Sequence, residues 1–252
     1  MTMAERRLLL QLKDVSLSYQ ARRDHFAQGV HRVLDGVSME LYQGETLGII
    51  GRNGCGKTTI LRVIAGILAP QGGVVWRQPG KSCALLSLGL GFKPALSGRD
   101  NALLAAMLQG SSRREAESFL NDICDFSELG DSFDEPVKTY SAGMKSRLGF
   151  ATALKTRVDI LLVDEVLSVG DVSFRKKAQE AMESHVGGAQ TVIFVSHAAP
   201  QVVRLCDRAV WLDNGRVAAE GDVSAVVDAY EQALRGTGRN TDATVKSPTL
   251  LA

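Results

Sequence analysis

The stretch Glu45-Thr-Leu-Gly-Ile-Ile-Gly51-Arg-Asn-Gly-Cys-Gly-Lys-Thr58 decides the fold. Its first half is a short apolar run ending at a glycine, the pattern of a buried strand. Its second half, Gly51 to Thr58, satisfies G-x-x-x-x-G-K-[ST] in full. Helical periodicity follows over Thr58 to Leu68, with Ile60, Leu61, Ile64 and Leu68 on one side. A glycine-rich turn between strand and helix turns backbone N–H groups around an anion, and the helix start adds its positive end. Lys57 is placed to neutralise β- and γ-phosphate charge and Thr58 to ligate Mg²⁺, with Thr59 near the α-phosphate. Gly51, Asn53, Gly54, Cys55 and Gly56 complete the cradle, with Cys55 as a tolerated small residue.

Working outward, Ile160-Leu-Leu-Val-Asp164-Glu165 is an apolar strand that ends in two carboxylates. Acids at the carboxyl edge of an open α/β sheet stand where ligands bind. Asp164 is expected to hold Mg²⁺ and Glu165 to polarise an attacking water. The bland alternative for the two acids is a pair of helix caps. Thr191 to Val195 is a further buried strand, followed by His197. Leu8 to Tyr19 alternates and predicts an edge strand; Val33 to Leu41 alternates again, with Ala21 to Arg32 between them as a loop. Gly72 to Trp76 and Cys83 to Leu88 are short strands. Gly98 to Glu128 is mostly helical, Ser141 to Thr156 is a helix, and Arg208 to Val217 is a hairpin around Asn214-Gly215. Strands alternating with helices around a helix-only middle predict a mostly parallel α/β core with an inserted helical part.

Tyr140-Ser141-Ala142-Gly143-Met144 precedes the acidic strand. Here the chain resembles the ATP-binding cassette family, whose signature is L-S-G-G-Q; Ser141 and Gly143 match it, whereas Ala142 and Met144 depart. The resemblance implies a P-loop NTPase core with a mostly parallel sheet, an N-terminal antiparallel β subdomain and an inserted helical subdomain. It implies the cassette over 8–235 with the insertion at about 93–156; the stretch 236–252, rich in Thr, Gly, Ser and Asn, is expected from its composition to be a disordered tail. The resemblance further implies ATP and Mg²⁺ as ligands and a homodimer that sandwiches ATP. Lys57, Glu165 and His197 are then catalytic. Ser141, Gly143 and Met144 reach the γ-phosphate across the dimer, where the local reading alone is a helix cap. Tyr19 is expected to stack on adenine, the bland alternative being an exposed strand tyrosine. Ser168 to Asp171 resembles the loop that crosses the interface. The family's Gln after the strand before the insertion is missing from Leu86 to Phe92; Ser87 or a backbone group would have to substitute.

Leu88-Gly-Leu-Gly-Phe92, Pro94 to Asn101 and Val169 to Lys177 resemble one branch, the ATPase subunits of bacterial polysaccharide exporters. The resemblance implies an integral membrane partner docking by the insertion, a lipid-linked glycan as cargo, and a place at the inner face of the cell membrane. It is to the short form, without a C-terminal glycan-binding sandwich. Another cargo (drug, lipid or metal) is the nearest alternative, and a soluble non-transport ATPase is more remote.

Composition agrees with an ordinary globular protein. The 252 residues are 45% hydrophobic and 23% charged, with 29 Lys and Arg against 28 Asp and Glu. A net charge of +1 excludes a strongly basic nucleic-acid binder. No run approaches the roughly 18 apolar residues of a spanning helix. Cys55, Cys83, Cys124 and Cys206 form no metal-spaced pair and are expected to be free thiols. The basic loop 21–32 reads either as a solvated turn or as a lid.

Overall fold

The computed structural model describes residues 7–20, 30–86, 92–156, 158–164, 172–186 and 190–238. Its centre is a six-stranded sheet built from β3 (Thr46–Ile50), β5 (Cys83–Leu86), β6 (Ile160–Val163), β7 (Thr191–Ser196), β8 (Arg208–Asp213) and β9 (Arg216–Gly221), in the order β5-β6-β7-β3-β8-β9. β5 to β8 run parallel through this order, and β9 returns antiparallel after the Asn214-Gly215 turn. Both turn residues have positive φ, 46° and 77°, as a two-residue hairpin requires. β3, β6 and β7 are buried at every position, which is why they read as unbroken apolar runs.

Alternation assigns the two faces of β3. Leu47 and Ile49 join the core beneath α1 (Lys57–Ile64), while Ile50 packs with α6 (Ala199–Leu205) and α7 (Val223–Gly238). Gly48 faces α6 so closely that a Cβ there would lie 2.8 Å from both Cys206 Sγ and Val202 Cγ1. α1 is shorter than its sequence suggests. Gly66, at φ 75°, lets Ile67 N–H reach Arg62 O at 2.9 Å and Gly66 N–H reach Val63 O at 3.0 Å, a Schellman stop.

The second sheet is antiparallel, in the order β2-β1-β4, with β1 at Leu8–Gln20, β2 at Val30–Tyr42 and β4 at Gly72–Arg77. β1 is therefore its central strand and not the expected edge; alternation reports one buried face and is silent on how many neighbours a strand has. Leu10, Leu12, Leu17, Leu34, Val37 and Leu41 from this sheet share one core with Leu47, Ile60 and Leu61. β2 begins at Val30, so the expected loop loses its last three residues to the strand; 21–29 lie outside the described residues.

The middle of the chain is α2 (Gly98–Leu108), α3 (Arg113–Ser127), two 3₁₀ turns and α4 (Ala142–Lys155). The expected helical stretch over 98–128 is broken at Gly110, whose φ is 107°. Ser112 and Glu115 then restart it with a reciprocal capping box. Ala102, Leu120, Ile123, Phe133, Tyr140 and Leu148 form a separate core. α4 also buries Phe150 and Leu154 with Phe174 of α5 (Val172–Val186) on the main sheet, so one helix carries both packings. α7 continues to Gly238, past the point where the sequence suggested a tail; 239–252 lie outside the described residues.

Candidate functional site: a phosphate cradle at the carboxyl edge of the sheet

The loop after β3 owes its shape to its glycines. A Cβ on Gly51 would stand 2.3 Å from Leu212 O and 2.7 Å from Cys55 Sγ, and one on Gly56 2.8 Å from Val33 O. Gly54 and Gly56 sit at φ 82° and 108°, where side chains are strained. Cys55 is buried behind the loop, and burial pushes its thiol pKa up. Gly54, Asn53 and Thr58 are exposed, and Thr59 is half-buried. α1 has no side-chain cap, and its first intrahelical bond is Ile60 N–H to Gly56 O at 2.9 Å. The N–H groups of its first turn are left for an anion. Lys57 is 7% exposed and curls over the loop, its ammonium donating to Gly51 O at 2.7 Å and Arg52 O at 2.9 Å. These features fit a polyphosphate, with a cation held in reserve at its seat.

Parallel register aligns the remaining groups. Ile50 pairs with Ser196 and Val163 with Phe194. The loop at Gly51, Asp164 and His197 consequently leave the same carboxyl edge of three adjacent strands. The buried Ser196 fixes the turn that carries His197: its Oγ accepts from Ala198 N–H at 3.0 Å and donates to Gln201 Oε1 at 3.0 Å. His197 is exposed and borders a cavity of about 380 Å³ between α5 and α6. Thr58 and Asp164 supply hard oxygen donors, the chemistry Mg²⁺ selects.

Tyr19 is 41% exposed near the end of β1, paired with His31 two rungs beyond the Leu17–Leu34 pair. Leu34 Cδ2 lies 3.0 Å from the position of a Gly56 Cβ, so this end of the antiparallel sheet adjoins the cradle. The start of α4 is a separate helix N-terminus. Ser141 is its exposed N-cap and accepts from Met144 N–H at 3.2 Å. A Cβ on Gly143 would meet only Ser141 Oγ, at 3.8 Å, leaving open space beside the helix start. The Met144 side chain packs on the helical core, and Tyr140 anchors the turn by donating to Ser132 O at 2.5 Å.

Glu165, Ser87 and Ser168 to Asp171 lie outside the described residues. All four cysteines are free, and no cluster of metal-binding side chains occurs among the described residues. Sequence reasoning missed the brace behind the cradle. Gly215 N–H donates to Cys55 O at 3.1 Å, and Asp35 N–H to Gly215 O at 2.8 Å. The hairpin turn was legible, but not its target, because the contact joins residues 160 positions apart. Ser196 likewise gave no signal beyond standing before a histidine.

A profile of the ABC transporter family matches residues 34–168. The chain is 40% identical over 201 residues to the O-antigen export system ATP-binding protein RfbB of Klebsiella pneumoniae, covering 80% of this chain and 81% of that one. It is 39% identical over 205 residues to the teichoic acids export ATP-binding protein TagH of Bacillus anthracis, covering 81% of this chain and 37% of that longer protein. Among solved structures, an ATP-binding subunit of an ABC transporter superposes with a TM-score of 0.71 at 26% identity, over 90% of this chain and 95% of that one. With the profile spanning more than half its length and the Klebsiella RfbB matched across 81% of its own, the chain belongs to the ABC transporter family.

Proposed function

We propose that this chain is the ATP-hydrolysing subunit of a transporter that exports a lipid-linked polysaccharide, of O-antigen, capsule or teichoic-acid type, across the cytoplasmic membrane. The observation that carries the hydrolytic reading is the common edge shared by the Gly51–Thr58 cradle, Asp164 and His197. The similarity to RfbB and TagH over four fifths of the chain supports the cargo.

ATP enters with its phosphates on the loop N–H groups and its adenine against Tyr19. Lys57 exchanges the two loop carbonyls for β- and γ-phosphate oxygens. Thr58 and Asp164 would hold Mg²⁺, which supplies charge neutralisation at the phosphates when bound. Glu165 takes a proton from a water in line with the γ-phosphorus. The new P–O bond forms as the bond to the bridging oxygen breaks, releasing ADP and phosphate. His197, set by Ser196, holds the γ-phosphate in line.

Two copies close head to tail, and the helix start at Ser141, Gly143 and Met144 grips the γ-phosphate bound by the other copy. ATP therefore binds the closed pair better than the open one, the differential affinity any switch needs. Hydrolysis removes that link. The motion passes to a membrane-spanning subunit seated in the groove between β5, the end of α1 and α2, about 450 Å³ and lined by Ile67, Leu85, Phe92, Leu104 and Leu108. The chain thereby works at the inner membrane face.

The test is ATPase activity of the chain with a candidate polytopic membrane partner, in nanodiscs, with and without undecaprenyl-linked glycan. Stimulation by both supports the reading. Turnover indifferent to glycan but raised by another lipid or a drug overturns the cargo.

A further inference from the structure

Between Gly51 and Thr58 only Arg52 and Lys57 are charged, and the loop sends them to different places. Lys57 turns inward: the Arg52 carbonyl accepts from its ammonium at 2.9 Å, and from Cys55 N–H at 3.3 Å. The Arg52 side chain reaches α7 instead. It lines a cavity of about 190 Å³ with Trp211, Asp213, Tyr230, Ala233 and Leu234, where β8 meets the second half of that helix. Trp211 stands beside Ile50 in the parallel register, and Ile50 is two residues before Arg52. Tyr230 is 5% exposed and meets the Trp211 ring near edge-on, with centroids 5.9 Å apart. Burial pushes the Tyr230 hydroxyl pKa up and the Arg52 charge pulls it partly back, so the guanidinium is within electrostatic reach of that ring.

The two halves of Arg52 therefore answer to different parts of the molecule. Its carbonyl is part of the seat of Lys57, and its side chain stands against α7. A polyphosphate in the cradle draws the ammonium off that seat. The carbonyl then loses a charge-assisted partner, and the Arg52–Asn53 peptide settles into another arrangement. A close-packed neighbour feels such a shift, and the neighbours of this side chain are Trp211 and α7. The same contact acts before the anion arrives. A glycine-rich loop has much backbone freedom to lose when it closes on a ligand. A long side chain seated on a helix removes part of that freedom in advance, and such pre-organisation raises affinity without touching the ligand.

We infer that Arg52 is a positioning residue that ties the phosphate loop to α7: it sets the loop for the nucleotide, and it carries the release of Lys57 to Trp211 and the second half of that helix. The inference rests on the reading of the cradle as a nucleotide site, and it adds a second surface whose state is linked to occupancy. Such a link is reciprocal. What the nucleotide does to α7, a change on α7 does to nucleotide affinity.

The chain has two tryptophans, Trp76 on β4 and Trp211 in the cavity, so fluorescence reads the link directly. The full chain carrying Trp76→Phe is titrated with the non-hydrolysable analogue AMP-PNP and Mg²⁺, and calorimetry measures binding independently. Binding is expected to change Trp211 emission. Arg52→Ala should abolish that change while AMP-PNP still binds, and should raise the KM for ATP by about three- to tenfold with kcat within about twofold, the pattern of lost pre-organisation. Arg52→Lys should recover most of the KM. Leu234→Ala, on the α7 wall, should raise KM in the same direction, so the result does not hang on one variant. An emission change that persists in Arg52→Ala, an unchanged KM in both alanine variants, or a fall in kcat at constant KM overturns the inference. Binding of AMP-PNP to the parent chain with no change in Trp211 emission overturns it alone; no binding at all overturns the nucleotide reading beneath it as well.

Discussion

The backbone N–H of Gly215 donates to the carbonyl of Cys55 at 3.1 Å, tying the β8–β9 turn to the back of the phosphate cradle. Gly215 is at φ 77°, and a Cβ there would stand 2.5 Å from Val33 O. Arg216 Nε donates to Asp35 at 2.8 Å on the far side, and Arg216 holds the Asp35 carboxyl below its usual range. The hairpin, the antiparallel sheet and the nucleotide loop thus share one joint. Gly215→Ala is expected to lower stability by about 1–2 kcal/mol from the φ requirement alone, and more from the contact with Val33. It should also weaken ATP binding. Thermal unfolding and nucleotide titration check both; normal affinity in a destabilised variant would mean that the joint supports the fold but not the cradle.

Removing charge at the cradle and removing the base have different signatures. Lys57→Ala deletes the cation beneath the loop carbonyls and is expected to lower ATP affinity by at least about tenfold, one charge-assisted contact. Glu165→Gln keeps the binding groups and removes the proposed proton acceptor. Turnover should fall by about 10²-fold or more, the usual contribution of a general base, while an ATP-bound dimer accumulates. Size-exclusion chromatography with ATP, compared with ADP, distinguishes the two variants. A Glu165→Gln chain that hydrolyses ATP at the wild-type rate would remove Glu165 from the mechanism.

The main sheet and cradle were legible because their signals are local. Apolar runs at 46–50, 160–163 and 191–196 are what two-sided burial demands, and Gly54 and Gly56, at positive φ, answer a backbone need within the Gly51–Thr58 loop. Ser141 was legible as a cap. What failed depends on distant residues. The central place of β1 requires β4, more than fifty positions away. The early stop of α1 follows from Gly66 drawing Ile67 back to Arg62, which an apolar residue at Leu68 concealed. The bracing of Cys55 by Gly215 has no signature along the chain.

The thiols give a pH test. Burial pushes Cys206 up to about 12 and Cys83 up to about 11 from an ordinary value near 9. In the folded chain both stay protonated at neutral pH, so iodoacetamide at pH 7.5 should label them at least about 10²-fold more slowly than in the unfolded chain. The linkage has a definite sign. A raised thiol pKa contributes stability that is complete below the unfolded value near 9 and is lost as pH rises from there toward 11 to 12. Chemical denaturation from pH 8 to 10.5 should show declining stability, with a smaller decline in Cys206→Ala. Equal slopes in the two chains would remove Cys206 as a contributor.

Ser196 is a positioning residue for His197, and its substitution should separate rate from binding. Its hydroxyl is fully buried and accepts from Ala198 N–H while donating to Gln201. Ser196→Ala leaves the Ala198 N–H without its acceptor, at a cost of about 1–3 kcal/mol to the turn. On the proposed mechanism ATP is held mainly by the cradle, which follows the neighbouring strand β3, so KM should stay within about twofold. The imidazole, no longer fixed, should lower kcat by about tenfold, as misplacement without loss of chemistry does. Ser196→Thr keeps the oxygen and should recover most of the rate. His197→Ala should be slower than Ser196→Ala, and the double variant no slower than His197→Ala alone, since the serine acts through the histidine. A further loss in the double variant would show that Ser196 serves the site by another route.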